Sequence, residues 1–107
     1  MLTRCAYFEG EIHEGKAELF DRFIKERLMP LWRQFPGSTD VRVLRDISAD
    51  PHASPLRMVL EVDYPDMDTI DKALASPIRT EAKAETEKLM TMFDGRIYHV
   101  IFEAKDA

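Results

Sequence analysis

The chain carries one cysteine, Cys5, so it can close no internal disulfide and build no cysteine-rich metal site. Its four glycines, at positions 10, 15, 37 and 95, are too scattered for a glycine-rich phosphate loop, which argues against a nucleotide cofactor held in a standard fingerprint. Three histidines, His13, His52 and His99, form no HxH or HExxH pattern, so no metal is expected. No apolar run approaches the ~18 residues of a membrane span. The net charge is −5 with no Lys/Arg stripe, which argues against nucleic acid as a partner. The opening MLTRCAYFEGE meets charged residues before any signal-peptide core could form, and a cytoplasmic location is expected. No linker, repeat or low-complexity tract interrupts the chain, so residues 1–107 are expected to form one domain with no cofactor.

What the chain has is one strongly amphipathic segment, Glu18–Phe35. Leu19, Phe20, Phe23, Ile24, Leu28, Leu31, Trp32 and Phe35 recur at spacings of three and four, which predicts a helix with one wide apolar face. Pro30 lies inside this pattern. Because the apolar period continues through Leu31, Trp32 and Phe35, a kink is favoured over a break. Around the helix, alternation predicts strands over Thr3–Ile12, Ser38–Ile47, Leu56–Tyr64 and Arg96–Lys105. Pro65-Asp66 opens a short helix, roughly Met67–Ala75. Ser76-Pro77 starts another with a capping residue followed by proline at the first helical position, and Asp94-Gly95 is expected to stop it. The order β-α-β-β-α-β is the ferredoxin-like arrangement, an α+β fold with a four-stranded antiparallel sheet and helices on one face.

Sorting the strands by residue type puts Phe8, Ile12, Met58, Leu60, Val62, Tyr98, Val100 and Phe102 toward the helices. Tyr7, Glu9, Arg57, Val59, Glu61, Ile97, His99 and Ile101 fall on the other face. That second face carries more apolar surface than solvation requires, so it is expected to pair with a second copy of the chain in a homodimer.

The element order, the YFEGEI opening, the YPDMDTIDKALASP step and the closing YHVIFEA resemble the dimeric α+β barrel superfamily, most closely its EthD-like and antibiotic-biosynthesis-monooxygenase-like branches. The resemblance implies a homodimer with sheets packed face to face as a dimeric α+β barrel. It also implies a cleft between sheet and helices for a small, often aromatic, molecule. Haem-degrading relatives are associated with an Asn–Trp–His constellation, and this chain has no asparagine, so that constellation is incomplete and haem degradation is a minor reading.

His99 is the sharpest candidate catalytic residue, because imidazole exchanges a proton near neutral pH. On the assigned faces Glu61 could fix its tautomer and Tyr7 could donate to a developing oxyanion. The plainer readings are a hydrogen-bonded interface histidine, an interface ion pair and an interface aromatic. Trp32, Glu9 and Arg57 are the candidate substrate-binding residues, although a tryptophan at helical spacing is more often core than pocket lining. The expected function is binding of a small apolar carbonyl or aromatic compound by an EthD-like protein. It would act as a cofactor-independent monooxygenase or proton-transfer enzyme, or alternatively as a non-catalytic dimeric ligand-binding or interaction module.

Overall fold

The computed structural model describes residues 1–105. Strands β1 (Leu2–Ile12), β2 (Asp40–Arg45), β3 (Leu56–Tyr64) and β4 (Phe93–Glu103) form one antiparallel sheet in the order β2-β3-β1-β4. Helices α1 (Ala17–Phe23), α2 (Met29–Trp32), α3 (Met67–Leu74) and α4 (Pro77–Leu89) pack on one side of it. The ferredoxin-like order and the helices on one face are therefore as expected. The barrel is not. β2 and β4 are edge strands that do not pair with each other, so the sheet is open. Four strands are too few to close around a filled interior, for which about eight are needed. The helices, not a closed wall of strands, cover the apolar face.

The amphipathic segment forms a continuous helical run from Ala17 to Trp32. Pro30 is accommodated upstream by a π-helical turn over Ile24–Leu28, where the Met29 N–H donates to the Ile24 carbonyl five residues back. The run thus continues past Pro30, then ends at Trp32, three residues before the expected end. Phe20, Ile24, Leu28 and Trp32 form the buried row, spaced by four. Leu19, expected on that face, is 45% exposed because it lies beside the row rather than in it. Asp66 caps α3 by accepting from the Thr69 N–H at 2.9 Å. Ser76 precedes α4 as expected, but its hydroxyl turns back to donate to the Ala73 carbonyl at 2.6 Å instead of capping α4.

The largest departure from the sequence reading is in β4. A short 3₁₀ turn at Met90–Met92 follows α4, and the strand begins at Phe93, inside the segment expected to be helical. Phe93 is buried, stacked on Phe20 with centroids 5.9 Å apart and edge-on to Phe8 at 6.3 Å. Counting in twos from Phe93 places Gly95, Ile97, His99 and Ile101 on the helix side. The register agrees: Ile97 lies opposite Phe8, and His99 opposite Ala6. Tyr98, Val100 and Phe102 lie opposite Tyr7, Cys5 and Thr3 on the open face. The two expected faces of this strand are exchanged.

Asp94-Gly95 is not a stop signal but part of the strand. Gly95 pairs with Gly10, and their φ angles are +158° and +149°. A Cβ on Gly95 would collide with the Glu9 carbonyl oxygen, and one on Gly10 with that of Asp94. Glycine is required at both positions for the strands to approach this closely. Gly95→Ala is therefore expected to destabilise the fold by about 1–3 kcal/mol or more, measured as a lower urea midpoint. An unchanged midpoint would show that β1 and β4 can separate without cost.

Candidate functional site

Alternation along three strands and a helical period along α4 converge on one cavity of about 430 Å³ between the sheet and the helices. Ala6 and Phe8 of β1 and Leu60 and Val62 of β3 make an apolar floor. Trp32, the last residue of the helical run, and Phe35 just past it form a wall. Arg79, Ala82, Lys83, Thr86 and Met90 line it from the α4 side at spacings of three and four, as one helix face must. Arg4, Tyr64 and His99 add polar groups from the strands. Lys83 and Glu87 are exposed and mark the mouth; His99 stands there too, one side of its ring open to solvent and the other against the cavity, where it loses water.

The charges in this cavity are unusual for the protein. Five arginines are half-buried: Arg4, Arg42, Arg45, Arg57 and Arg79. Three are neutralised by carboxylates. Arg42 meets Asp40, Glu61 and Asp63 at 2.6–3.0 Å. Arg45 meets Asp21 and Asp46, and Arg57 meets Glu11 and Asp46, all at 2.7–2.9 Å. The two that line the cavity are different. Among the described residues no carboxylate forms an ion pair with Arg4 or Arg79, and Arg79 makes only a long 3.4 Å bond to the Leu74 carbonyl. Desolvation, reinforced by the neighbouring positive charge of Arg79, pushes the Arg4 guanidinium below its ordinary value. Burial also keeps the Tyr64 hydroxyl protonated by raising its pKa.

His99 senses the same environment. Loss of solvation, then the charges of Arg4 and Arg79, lower its pKa from 6.5 to about 4. At pH 7 the imidazole is neutral, with one nitrogen lone pair available.

The residues expected to share one site divide between the two faces of the sheet. His99 and Trp32 line the cavity. Tyr7, Glu9, Arg57 and Glu61 lie on the open face, so the expectation that His99 stands beside Tyr7 and Glu61 is corrected by the phase of β4. There Tyr7 stacks on Tyr98 with centroids 5.2 Å apart. Glu9 pairs with Arg96 at 2.8 Å, and Arg96 covers the Tyr98 ring. Glu61 holds Arg42 at 3.0 Å rather than an imidazole. Sequence reasoning missed Arg4, Tyr64 and Arg79. Arg4 had a signal, since it alternates with Ala6 and Phe8 on a face otherwise apolar. Among the described residues no group of three His, Cys, Asp or Glu side chains is arranged to hold a metal, and no helix is long and apolar enough to cross a membrane.

This sheet order, with one helical layer and a lined cavity beneath it, defines a ferredoxin-like α+β protein. No protein-family model matches the chain, nor does the sequence of any curated protein. Solved structures do. The chain is similar to an ethyl tert-butyl ether D (EthD) family protein from Bacillus halodurans, with 25% identity, a TM-score of 0.75, and coverage of 98% of this chain and 99% of that one. It is similar to SnoaB, a cofactor-independent oxygenase from Streptomyces nogalater, at 18% identity and TM-score 0.68, covering 99% and 94%. A dimeric protein of unknown function with a ferredoxin-like fold from Bacteroides fragilis aligns at 13% identity and TM-score 0.68, covering 96% and 95%. These likenesses establish the fold.

The protonation of His99 is directly measurable. Its folded midpoint of about 4 lies below the ordinary 6.5, so the unfolded chain binds more protons between those values. Stability from this group is therefore full above pH 6.5 and falls as the pH drops toward 4. An NMR titration of the His99 ring should give a midpoint near 4, and Arg79→Gln should move it upward. A midpoint at the ordinary value in the wild type would mean that water solvates the ring freely.

Proposed function

We propose that the chain binds a small ring compound bearing a carbonyl in the cavity beneath α4, and that His99 moves a proton on it. One observation carries this reading: a neutral imidazole stands on the lining of an apolar cavity that also contains Trp32. Neutral histidine can take a proton from a carbon next to a carbonyl, and the electron pair left behind delocalises onto the carbonyl oxygen as an enolate. Arg4 and Arg79 lower the basicity of free His99, yet the same charges stabilise the enolate as it forms, so the penalty is relieved where the reaction needs it. The enolate carries its own electrons. Reprotonation at another carbon gives isomerisation, and addition of dioxygen gives oxygenation, in neither case with a bound cofactor. The likeness to an EthD family protein and to a cofactor-independent oxygenase supports this class of chemistry.

The test is exchange of the α-protons of 2-tetralone for deuterium, followed by NMR. The wild type should accelerate exchange, and His99→Ala should lose about a hundredfold or more of that acceleration. A folded His99→Ala protein that exchanges as fast as wild type would remove His99 as the base. Binding without any exchange would leave the non-catalytic reading.

The open face supports a second proposal, a homodimer. Leu44, Val100 and Phe102 are 48%, 37% and 47% exposed there, beside the Tyr7–Tyr98 stack and the salt-bridged Glu9, Arg57 and Glu61. Bulky apolar side chains grouped with aromatics on one sheet face are what a partner copy would cover. Sedimentation should show a dimer at micromolar concentration, and Phe102→Glu should shift it to monomer. A wild-type monomer under these conditions would overturn the proposal.

A further inference from the structure

The cavity contains more positive charge than its own residues answer, and this bears on what occupies it. At the mouth stand one exposed cation, Lys83, and one exposed carboxylate, Glu87. Deeper, Arg4 and Arg79 face a space floored by Ala6, Phe8, Leu60 and Val62, with the Tyr64 hydroxyl at that end and the neutral His99 toward the mouth. Elsewhere the protein pairs every half-buried arginine with one or more carboxylates. Leaving two half-buried cations facing one space costs stability in the empty protein, since Arg4 loses water there and the Arg79 charge acts against it. An occupant bearing an anion would reverse that cost, and the guanidinium fork fits a planar carboxylate better than any single-atom acceptor.

We propose that the ligand of this cavity is a ring-bearing organic acid, its carboxylate held by Arg4 and Arg79 while its ring lies on the apolar floor against Trp32. The inference rests on the cavity being the binding site proposed above and adds the class of compound it selects. The Tyr64 hydroxyl is a further neutral donor at that end. The carboxylate would answer one of the two positive charges in the ground state, leaving the other to stabilise an enolate formed at a carbonyl beside it within reach of His99.

The probes are 2-naphthoate and its neutral near-isostere 2-naphthamide, titrated into the full chain by calorimetry and by quenching of Trp32, the only tryptophan. The wild type should prefer the acid by at least tenfold. Arg4→Gln/Arg79→Gln should abolish that preference while changing the affinity for the amide by less than twofold. Without ligand, Arg4→Gln should melt at or above the wild-type temperature, because it removes an unpaired, desolvated charge. If the amide binds the wild type as well as the acid does, or if the preference survives in the double variant, the anion assignment fails while the cavity remains a binding site. If neither compound binds the wild type, the binding-site reading fails and this inference with it. A clear drop in the melting temperature of Arg4→Gln would mark Arg4 as a structural residue and overturn its role as ligand anchor.

Discussion

Phe93 packs between Phe20 of the first helical run and Phe8 of β1, and that contact sets the phase of the last strand. Because side chains alternate strictly along a strand, fixing one residue fixes every other on it. Ile97 and His99 are thereby directed into the cavity, and Tyr98, Val100 and Phe102 onto the opposite side of the sheet. The paired glycines at 10 and 95 let the contact be made, since any side chain there would force β1 and β4 apart. The position of the imidazole, the apolar patch on the open face and the separation of His99 from Glu61 all follow from this one packing decision.

The two faces also treat charge differently. On the open face, acids and bases interleave across the strands, so Arg42, Arg57 and Arg96 are each answered locally. Such exposed pairs contribute little stability individually, but they leave the face electrically quiet. Beneath the helices Arg45 is paired in the same way, but Arg4 and Arg79, on the cavity, are not. An unmatched pair of this kind is what the proposed anionic ligand would answer.

Much of the fold was readable from pattern alone. The four strands, the helical run that continues past Pro30 and the start of α4 at Pro77 each follow from periodicity and from the chemistry of proline and of the residues flanking helices. The phase of β4 was not readable, for a physical reason. Tyr98, Val100 and Phe102 are as apolar as Ile97 and Ile101, so hydrophobicity does not distinguish the two faces. Gly95 after Asp94 has the look of a turn, and only the opposing Gly10 reveals a close strand crossing. The site divided in the same way. Trp32 was reached by helical spacing, and Arg4 lay in plain view among core positions. Arg79 sits on a mostly polar helix whose inner face is hard to identify without the sheet beneath it. Closure of the sheet into a barrel could not be judged from one chain's pattern, and the strand order leaves both edges free.

The π-helical turn at Ile24–Leu28 carries a consequence for how this chain can change over time. A π turn holds one residue more than the α-helical turn it replaces. The surplus residue is taken up within that turn, so Trp32 and Phe35 beyond it keep their relation to the sheet whether or not it is present. Chain length can therefore change by one residue at this point without redrawing the cavity wall.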